Sequence, residues 1–257
     1  MHDPLDFRGK VVLVTGGAKG VGRGITRRFL ECGANVVICG RQAPERLPSG
    51  GGKQAVFMQC DVRDFEQLEQ LLGNVLKFFG RLDVLVNNAG GAPFAEAATA
   101  SPRFSESIVR LNLLAPLNLC QLANRVMQEQ AEGGAIINIC SVSATRPSPG
   151  TAAYGAAKAG LLNLTRSLAV EWAPKVRVNA VTAGLILTEQ AELHYGDAQQ
   201  QAQVAATIPL GRLAEPDDIG DTCLYLASPL ARYVSGTDLT VHGGGERPAF
   251  LDAAKHP

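Results

Sequence analysis

Tyr154 and Lys158 stand four residues apart in the stretch Tyr-Gly-Ala-Ala-Lys, and Ser141 precedes the tyrosine by thirteen residues. Four residues make about one helical turn, so a phenol and an ammonium at this spacing share one helix face. A phenol ordinarily titrates at about pH 10, and an adjacent cation lowers that value by favouring phenolate. Such a pair would serve as an acid or base near neutral pH, with a serine hydroxyl nearby to hold a carbonyl oxygen. The spacing alone arises easily by accident, so its meaning depends on the elements that position it.

Those elements fit in one α/β domain covering residues 1–257. The chain is 46% hydrophobic and 19% charged, enough for a sizeable core. A formal net charge of zero argues against nucleic-acid or membrane-surface binding through bulk charge. The first residues carry no apolar segment of a secretory signal, and no apolar run is long enough to span a membrane. The six cysteines are scattered without a Cys-x-x-Cys pair, which predicts reduced, mostly buried thiols in a cytoplasmic protein. The four histidines lie far apart without metal-ligand spacing, so no metal site is expected.

Short apolar runs at 10–15, 35–39, 55–60, 82–87, 135–140, 176–181 and 238–241 alternate with helical patterns. This alternation predicts crossover units and a doubly wound, seven-stranded parallel sheet flanked by helices. Several runs are continuously apolar, as strands covered on both faces should be. Val21, Ile25, Phe29 and Cys32 recur at helical spacing and stop at Gly33. Helices are also expected near 64–79, 102–130, 151–172 and 215–227. The stretch 41–53 is too rich in proline and glycine for a crossover helix, and reads as a loop with at most one helical turn.

Directly after the first run comes Thr15-Gly16-Gly17-Ala18-Lys19-Gly20-Val21-Gly22, opening into the first helix. A glycine-rich turn there lets the backbone approach a pyrophosphate and aims helix N–H groups at it. Further along stand Asp61-Val62, Asn87-Asn88-Ala89-Gly90, Asn112, Ser141, Tyr154 with Lys158, and Gly184 with Thr188, each after an expected strand or inside an expected helix. Together these residues resemble the short-chain dehydrogenase/reductase family over nearly the whole chain, including its 3-oxoacyl-thioester reductase-like and hydroxysteroid dehydrogenase-like members.

The resemblance implies a Rossmann-like domain that binds NAD(P)(H) and interconverts a ketone and a secondary alcohol. Tyr154 is then the acid/base, Ser141 orients the carbonyl oxygen, and Lys158 lowers the tyrosine pKa and holds the nicotinamide ribose. Gly16, Lys19, Gly20, Val21 and Gly22 would line the phosphates. Asp61 and Val62 would meet the adenine, with capping of the next helix as a structural alternative for Asp61. Asn88, Ala89 and Gly90 would line the far ribose, and Gly184, Ile186 and Thr188 the carboxamide. Pro116 cannot donate to the Asn112 carbonyl, so a kinked helix there would free that carbonyl for a water contacting Lys158.

The second strand runs into Gly40-Arg41 without the carboxylate that usually binds adenosine ribose hydroxyls. Gly40 leaves room for a 2′-phosphate, and Arg41 can pair with it, with Lys19 as a second cation. NADP(H) is therefore expected over NAD(H). Ala183 stands where the family usually has proline, which should loosen the loop before Ile186. His242 stands where an acid is commoner and is given no catalytic role.

Residues 185–209 should form a lid over the substrate, mixing Leu185, Ile186, Leu187 and Leu193 with Glu189, Glu192 and His194. This composition suggests an apolar substrate body. Arg146 is either a contact for an anionic group or a surface cation. Ring ketones, steroid-like alcohols and 3-oxoacyl thioesters all remain open. The family implies a homotetramer or homodimer. The alternatives to the NADP(H) enzyme are an NAD(H)-preferring alcohol dehydrogenase and a non-catalytic dinucleotide-binding sensor. Intact Ser141, Tyr154 and Lys158 favour an enzyme.

Overall fold

The computed structural model describes residues 3–246 together with Pro248 and Phe250. Seven strands form one parallel sheet: β1 (Val11–Thr15), β2 (Asn35–Gly40), β3 (Val56–Gln59), β4 (Val84–Asn87), β5 (Gly134–Ser141), β6 (Val176–Ala183) and β7 (Asp238–Val241). Their spatial order is β3-β2-β1-β4-β5-β6-β7. Winding reverses between β1 and β4, and the crevice above the carboxyl ends at such a switch point is where open α/β sheets take ligands.

β1 is buried at all five positions and alternates its side chains between two cores. Val11 and Leu13 join Leu68, Leu71, Leu119 and Met127, from α2 (Phe65–Phe79) and, beyond β4, a helix at Ala115–Glu129. Val12 and Val14 join Ile25, Phe29, Ile219 and Leu224, from α1 (Gly20–Glu31) and a helix at Pro216–Ala227. Each fully buried side chain of this kind contributes about 1.5–3 kcal/mol. Gly24 allows α1 to reach that last helix, because a Cβ there would lie 2.5 Å from Pro216. No described helix is long and apolar enough to cross a membrane.

Three local expectations change. Residues 41–53 carry no helical turn; Ser49–Gly50 pairs antiparallel with Lys53–Gln54. Gly51 (φ +56°) and Gly52 (φ +76°) supply the left-handed pair that a two-residue hairpin turn requires. The helix expected over 102–130 is divided into α3 (Pro102–Val109), a π-helical turn at Arg110–Leu114, and α4 (Ala115–Glu129). A wider turn just before Pro116 absorbs the missing N–H and the ring clash, in place of a simple kink. β4 starts later than expected, since Asp83 turns its carboxylate onto the Val11 N–H at 2.8 Å. The remaining helices are α5 (Ala152–Glu171), α6 (Ala191–Tyr195), α7 (Ala198–Ala206) and α8 (Pro216–Ala227).

Candidate active site

The turn from β1 to α1 is built by absence of side chains. Gly16 (φ +64°) and Gly20 (φ +49°) take left-handed backbone conformations. A Cβ on Gly22 would stand 2.3 Å from the Gly16 carbonyl oxygen, and one on Gly17 would stand 2.4 Å from Ile38 Cγ2. Val21 packs against the core, while Lys19 is exposed at the N-cap with extended backbone and no side-chain capping bond. Thr15 joins the loop to β4: its hydroxyl accepts the N–H groups of Asn88 and Ala89, both at 2.9 Å. The Asn88 amide returns a bond to the Thr15 carbonyl at 2.9 Å. This glycine-lined cradle at a helix N-terminus fits a diphosphate.

At the end of β2, a Cβ on Gly40 would meet nothing closer than 3.8 Å, so space is open beside the exposed Arg41. Asp61 is gripped by Arg63, Nη2 to Oδ2 at 2.6 Å and Nε to Oδ1 at 2.9 Å. That fork, with help from Arg41, holds the Asp61 carboxyl below its ordinary range. The capping alternative for Asp61 is corrected: Asp64 caps α2, accepting the Gln67 N–H at 3.2 Å. Val62, next to Asp61, is buried.

A buried polar chain fixes the rotation of α5. Asn87 donates to Asn138 Oδ1 at 2.9 Å, and Asn138 donates to the Thr165 hydroxyl at 2.9 Å. Thr165 lies about two turns beyond Lys158 on the same helix. Lys158 is buried and donates from Nζ to the Ile139 carbonyl at 2.7 Å, with Nζ 5.7 Å from the Tyr154 ring centroid. Gly90 completes the cluster, since a Cβ there would lie 2.7 Å from Asn112 Oδ1 and 3.3 Å from Lys158 Nζ. The Asn112 side chain clamps Gly91, accepting its N–H at 2.9 Å and donating to its carbonyl at 3.0 Å. Ser141 ends β5, where its hydroxyl accepts the Ser143 N–H at 3.2 Å.

The expected lowering of the Tyr154 pKa is corrected. Burial raises the phenol above its ordinary value, and the Ser141 hydroxyl only partly opposes this. Lys158 is itself shifted down by burial, with Nζ committed to the Ile139 carbonyl. Helical spacing brings the pair together; desolvation sets the direction of both shifts.

Beyond β6 the loop is hydrogen-bonded to its neighbours on both sides. Ala183 pairs with Ser141 and Val241 within the sheet, and the Gly184 N–H reaches the Val241 carbonyl at 2.9 Å. A Cβ on Gly184 would lie 2.7 Å from His242 Cβ. Leu187 donates to Ala214 at 2.8 Å and Ala214 to Leu185 at 3.0 Å, pinning Ile186 between them. Thr188 then lies beside Gly20, with Thr188 Cγ2 3.5 Å from where a glycine Cβ would be. A cleft of about 330 Å³ has Val142 (the residue after Ser141), Leu185 and Ile208 as apolar walls and Arg146, His242 and Glu246 as polar ones. Arg146 is ion-paired with Glu246 at 2.7 Å.

The profile described as Enoyl-(Acyl carrier protein) reductase matches residues 16–246. The chain belongs to the short-chain dehydrogenase/reductase family. Among the relatives of this short-chain dehydrogenase/reductase is L-rhamnose 1-dehydrogenase (NAD(P)(+)) of Azotobacter vinelandii, 37% identical over 91% of this chain and 96% of the relative. A 3-oxoacyl-(acyl-carrier-protein) reductase of Chlamydia trachomatis is 35% identical, covering 91% and 96%. The ligand-free aldohexose dehydrogenase of Thermoplasma acidophilum superposes with a TM-score of 0.88 at 29% identity, covering 98% of each chain. As a member of this family the protein is an oxidoreductase of alcohol and ketone groups that binds NAD(P)(H).

The structure also places four residues that sequence reasoning passed over in these roles: the Thr15 hydroxyl, Glu189 on the Gly20 N–H, Tyr195 on the Ile186 N–H, and Glu246 on Arg146. Only the first left a sequence signal, because Thr15 adjoins the glycine turn.

Proposed function

We propose that this short-chain dehydrogenase/reductase is an NADP(H)-dependent enzyme that interconverts a ketone and a secondary alcohol, with Tyr154 as its acid/base. The observation that carries this reading is one connected cluster: the Ser141 hydroxyl acts on the Tyr154 phenol, Lys158 Nζ lies 5.7 Å from the Tyr154 ring centroid, and the buried Lys158 abuts Gly90 together with Asn112. Gly16, Lys19, Gly20, Val21 and Gly22 hold the diphosphate. Asn88, Ala89, Gly90, Tyr154 and Lys158 hold the nicotinamide ribose, Asp61 and Val62 the adenine, and Gly184, Ile186 and Thr188 the carboxamide. Open space at Gly40 beside Arg41, with no carboxylate following β2, supports the 2′-phosphate.

When bound, the dinucleotide supplies or accepts the hydride. Ser141 donates a hydrogen bond to the substrate oxygen and fixes its position. Tyr154, kept protonated by its buried setting, gives that oxygen a proton in reduction and recovers it in oxidation. The Asn112 carbonyl, which Pro116 cannot engage, holds a water through which Lys158 exchanges protons with solvent. The apolar walls of the cleft accept the substrate body, and the Arg146–Glu246 pair meets a polar group at its mouth. The protein works in the cytoplasm as a homotetramer or homodimer.

A ketone panel with NADPH tests this directly. Tyr154→Phe should bind NADPH as the wild type does and lose about 10²–10⁴-fold in kcat. Unchanged turnover would remove Tyr154 from the chemistry.

A further inference from the structure

Two side chains between β6 and α7 occupy backbone N–H groups in the dinucleotide site. Glu189 Oε2 accepts the Gly20 N–H at 2.9 Å, at the start of α1, and Glu189 Oε1 lies 3.6 Å from Arg23 Nη1. α1 has no side-chain N-cap and no acid in its first turn, so Glu189 supplies from a distance the anion that a helix N-terminus favours. Tyr195 accepts the Ile186 N–H through its hydroxyl oxygen at 3.3 Å, although that donor lies at the carboxamide end of the proposed cofactor site. The Tyr195 ring is half-buried, and α6 carries it next to the Ile186 N–H.

Both residues belong to one short piece of chain. Thr188 packs beside Gly20, Glu189 follows it, and α6 ends at Tyr195. Gly196 then turns the chain at φ +75°, a conformation that side chains resist, before Asp197 and Gln200 cap α7 with a reciprocal pair of bonds. The segment is thus anchored at the Ile186–Ala214 bridge and at α7, with Glu189 and Tyr195 on the span between.

We propose that Glu189 and Tyr195 are affinity-determining residues of the dinucleotide site, acting as internal stand-ins for the cofactor. The Glu189 carboxylate takes the diphosphate's place at Gly20, and the Tyr195 hydroxyl takes a carboxamide oxygen's place at Ile186. This inference rests on the cofactor site proposed above. Cofactor entry then requires both bonds to break, so only the fraction of molecules with the segment released binds, and the measured Kd is raised by the reciprocal of that fraction. A carboxylate at the diphosphate position also repels the incoming anion.

The test is calorimetric titration of the full chain with NADPH and with NADH, without substrate, accompanied by amide hydrogen exchange. Glu189→Gln should lower the NADPH Kd by about three- to tenfold, and Tyr195→Phe by about two- to fivefold. In the free protein the Gly20 amide should exchange faster in Glu189→Gln than in the wild type, and the Ile186 amide faster in Tyr195→Phe. Equal or weaker NADPH binding by Glu189→Gln overturns this inference alone, because the carboxylate would then be neutral or a cofactor ligand. A wild-type protein that binds neither dinucleotide overturns the proposed function, and this inference with it.

Discussion

The cofactor side and the substrate side of the crevice are built on different principles. From Thr15 to Gly22, and from Asn88 to Gly91, the surface is backbone held by sheet ends, glycine conformations and the Thr15 hydroxyl. Across the crevice, the cleft is framed by side chains on loops: Arg146, Ile208, His242 and Glu246. A backbone surface tolerates almost no added atom, whereas a side-chain surface can be recut by substitution. The first arrangement suits a ligand shared by a whole family, and the second a substrate that varies among members.

Substitutions should separate the two sides by the size of their effect. Gly22→Val forces a Cβ to within 2.3 Å of the Gly16 carbonyl, so the loop must move. Dinucleotide affinity should fall more than about tenfold for NADPH and NADH alike, since overpacking costs about 1–3 kcal/mol before any ligand contact is lost. Wild-type affinity in this variant would mean that the cradle is not the diphosphate site. Arg41→Ala is narrower: the NADPH Kd should rise about tenfold and the NADH Kd should stay put, as expected for one charge-assisted contact. An equal change for both would remove the 2′-phosphate from Arg41.

Lys158→Met has its smallest effect on stability, where its pH dependence is informative. Burial lowers the Lys158 pKa, so the folded protein disfavours a charge that the unfolded chain carries freely. Stability should rise with pH between the lowered folded value and the ordinary value of 10.5. Below that window the wild type carries the full cost of the buried ammonium. At neutral pH, Lys158→Met should therefore keep or raise Tm by a few degrees, about 2–4 °C per kcal/mol, while losing turnover. The gap should close as pH climbs through the window. A large drop in Tm would instead mean that the bond to Ile139 outweighs the cost of burying the charge.

The same contrast explains what the sequence made legible. The strand Val11–Thr15 is buried at every position because helices cover both faces, and the glycine turn is visible because Gly16 and Gly20 take positive φ while Gly22 has no room for a Cβ. The four-residue spacing of Tyr154 and Lys158 carries over directly into α5. It gives proximity without environment, however, so the rise in the Tyr154 pKa was hidden until burial was known. Glu189 was equally hidden, since its partner Gly20 lies far away in sequence and only the returning chain beyond β6 brings them together. Pro116 and the Gly51-Gly52 pair mark a disturbed helix and a tight turn locally, but the width of the π turn and the packing of the hairpin against Arg27 and Glu31 of α1 are set by tertiary contacts.

The central claim is that Tyr154, set by Ser141 and Lys158, handles the substrate proton while the dinucleotide exchanges hydride with the carbon bearing that oxygen. Its most direct test is to supply NADPH deuterated at the nicotinamide C4 with a ketone that the wild type turns over, and to analyse the alcohol formed. Deuterium should appear on the carbinol carbon with the wild type, and Tyr154→Phe at saturating NADPH should form that labelled alcohol about 10²–10⁴-fold more slowly. Labelled alcohol formed at the wild-type rate by Tyr154→Phe would contradict the claim.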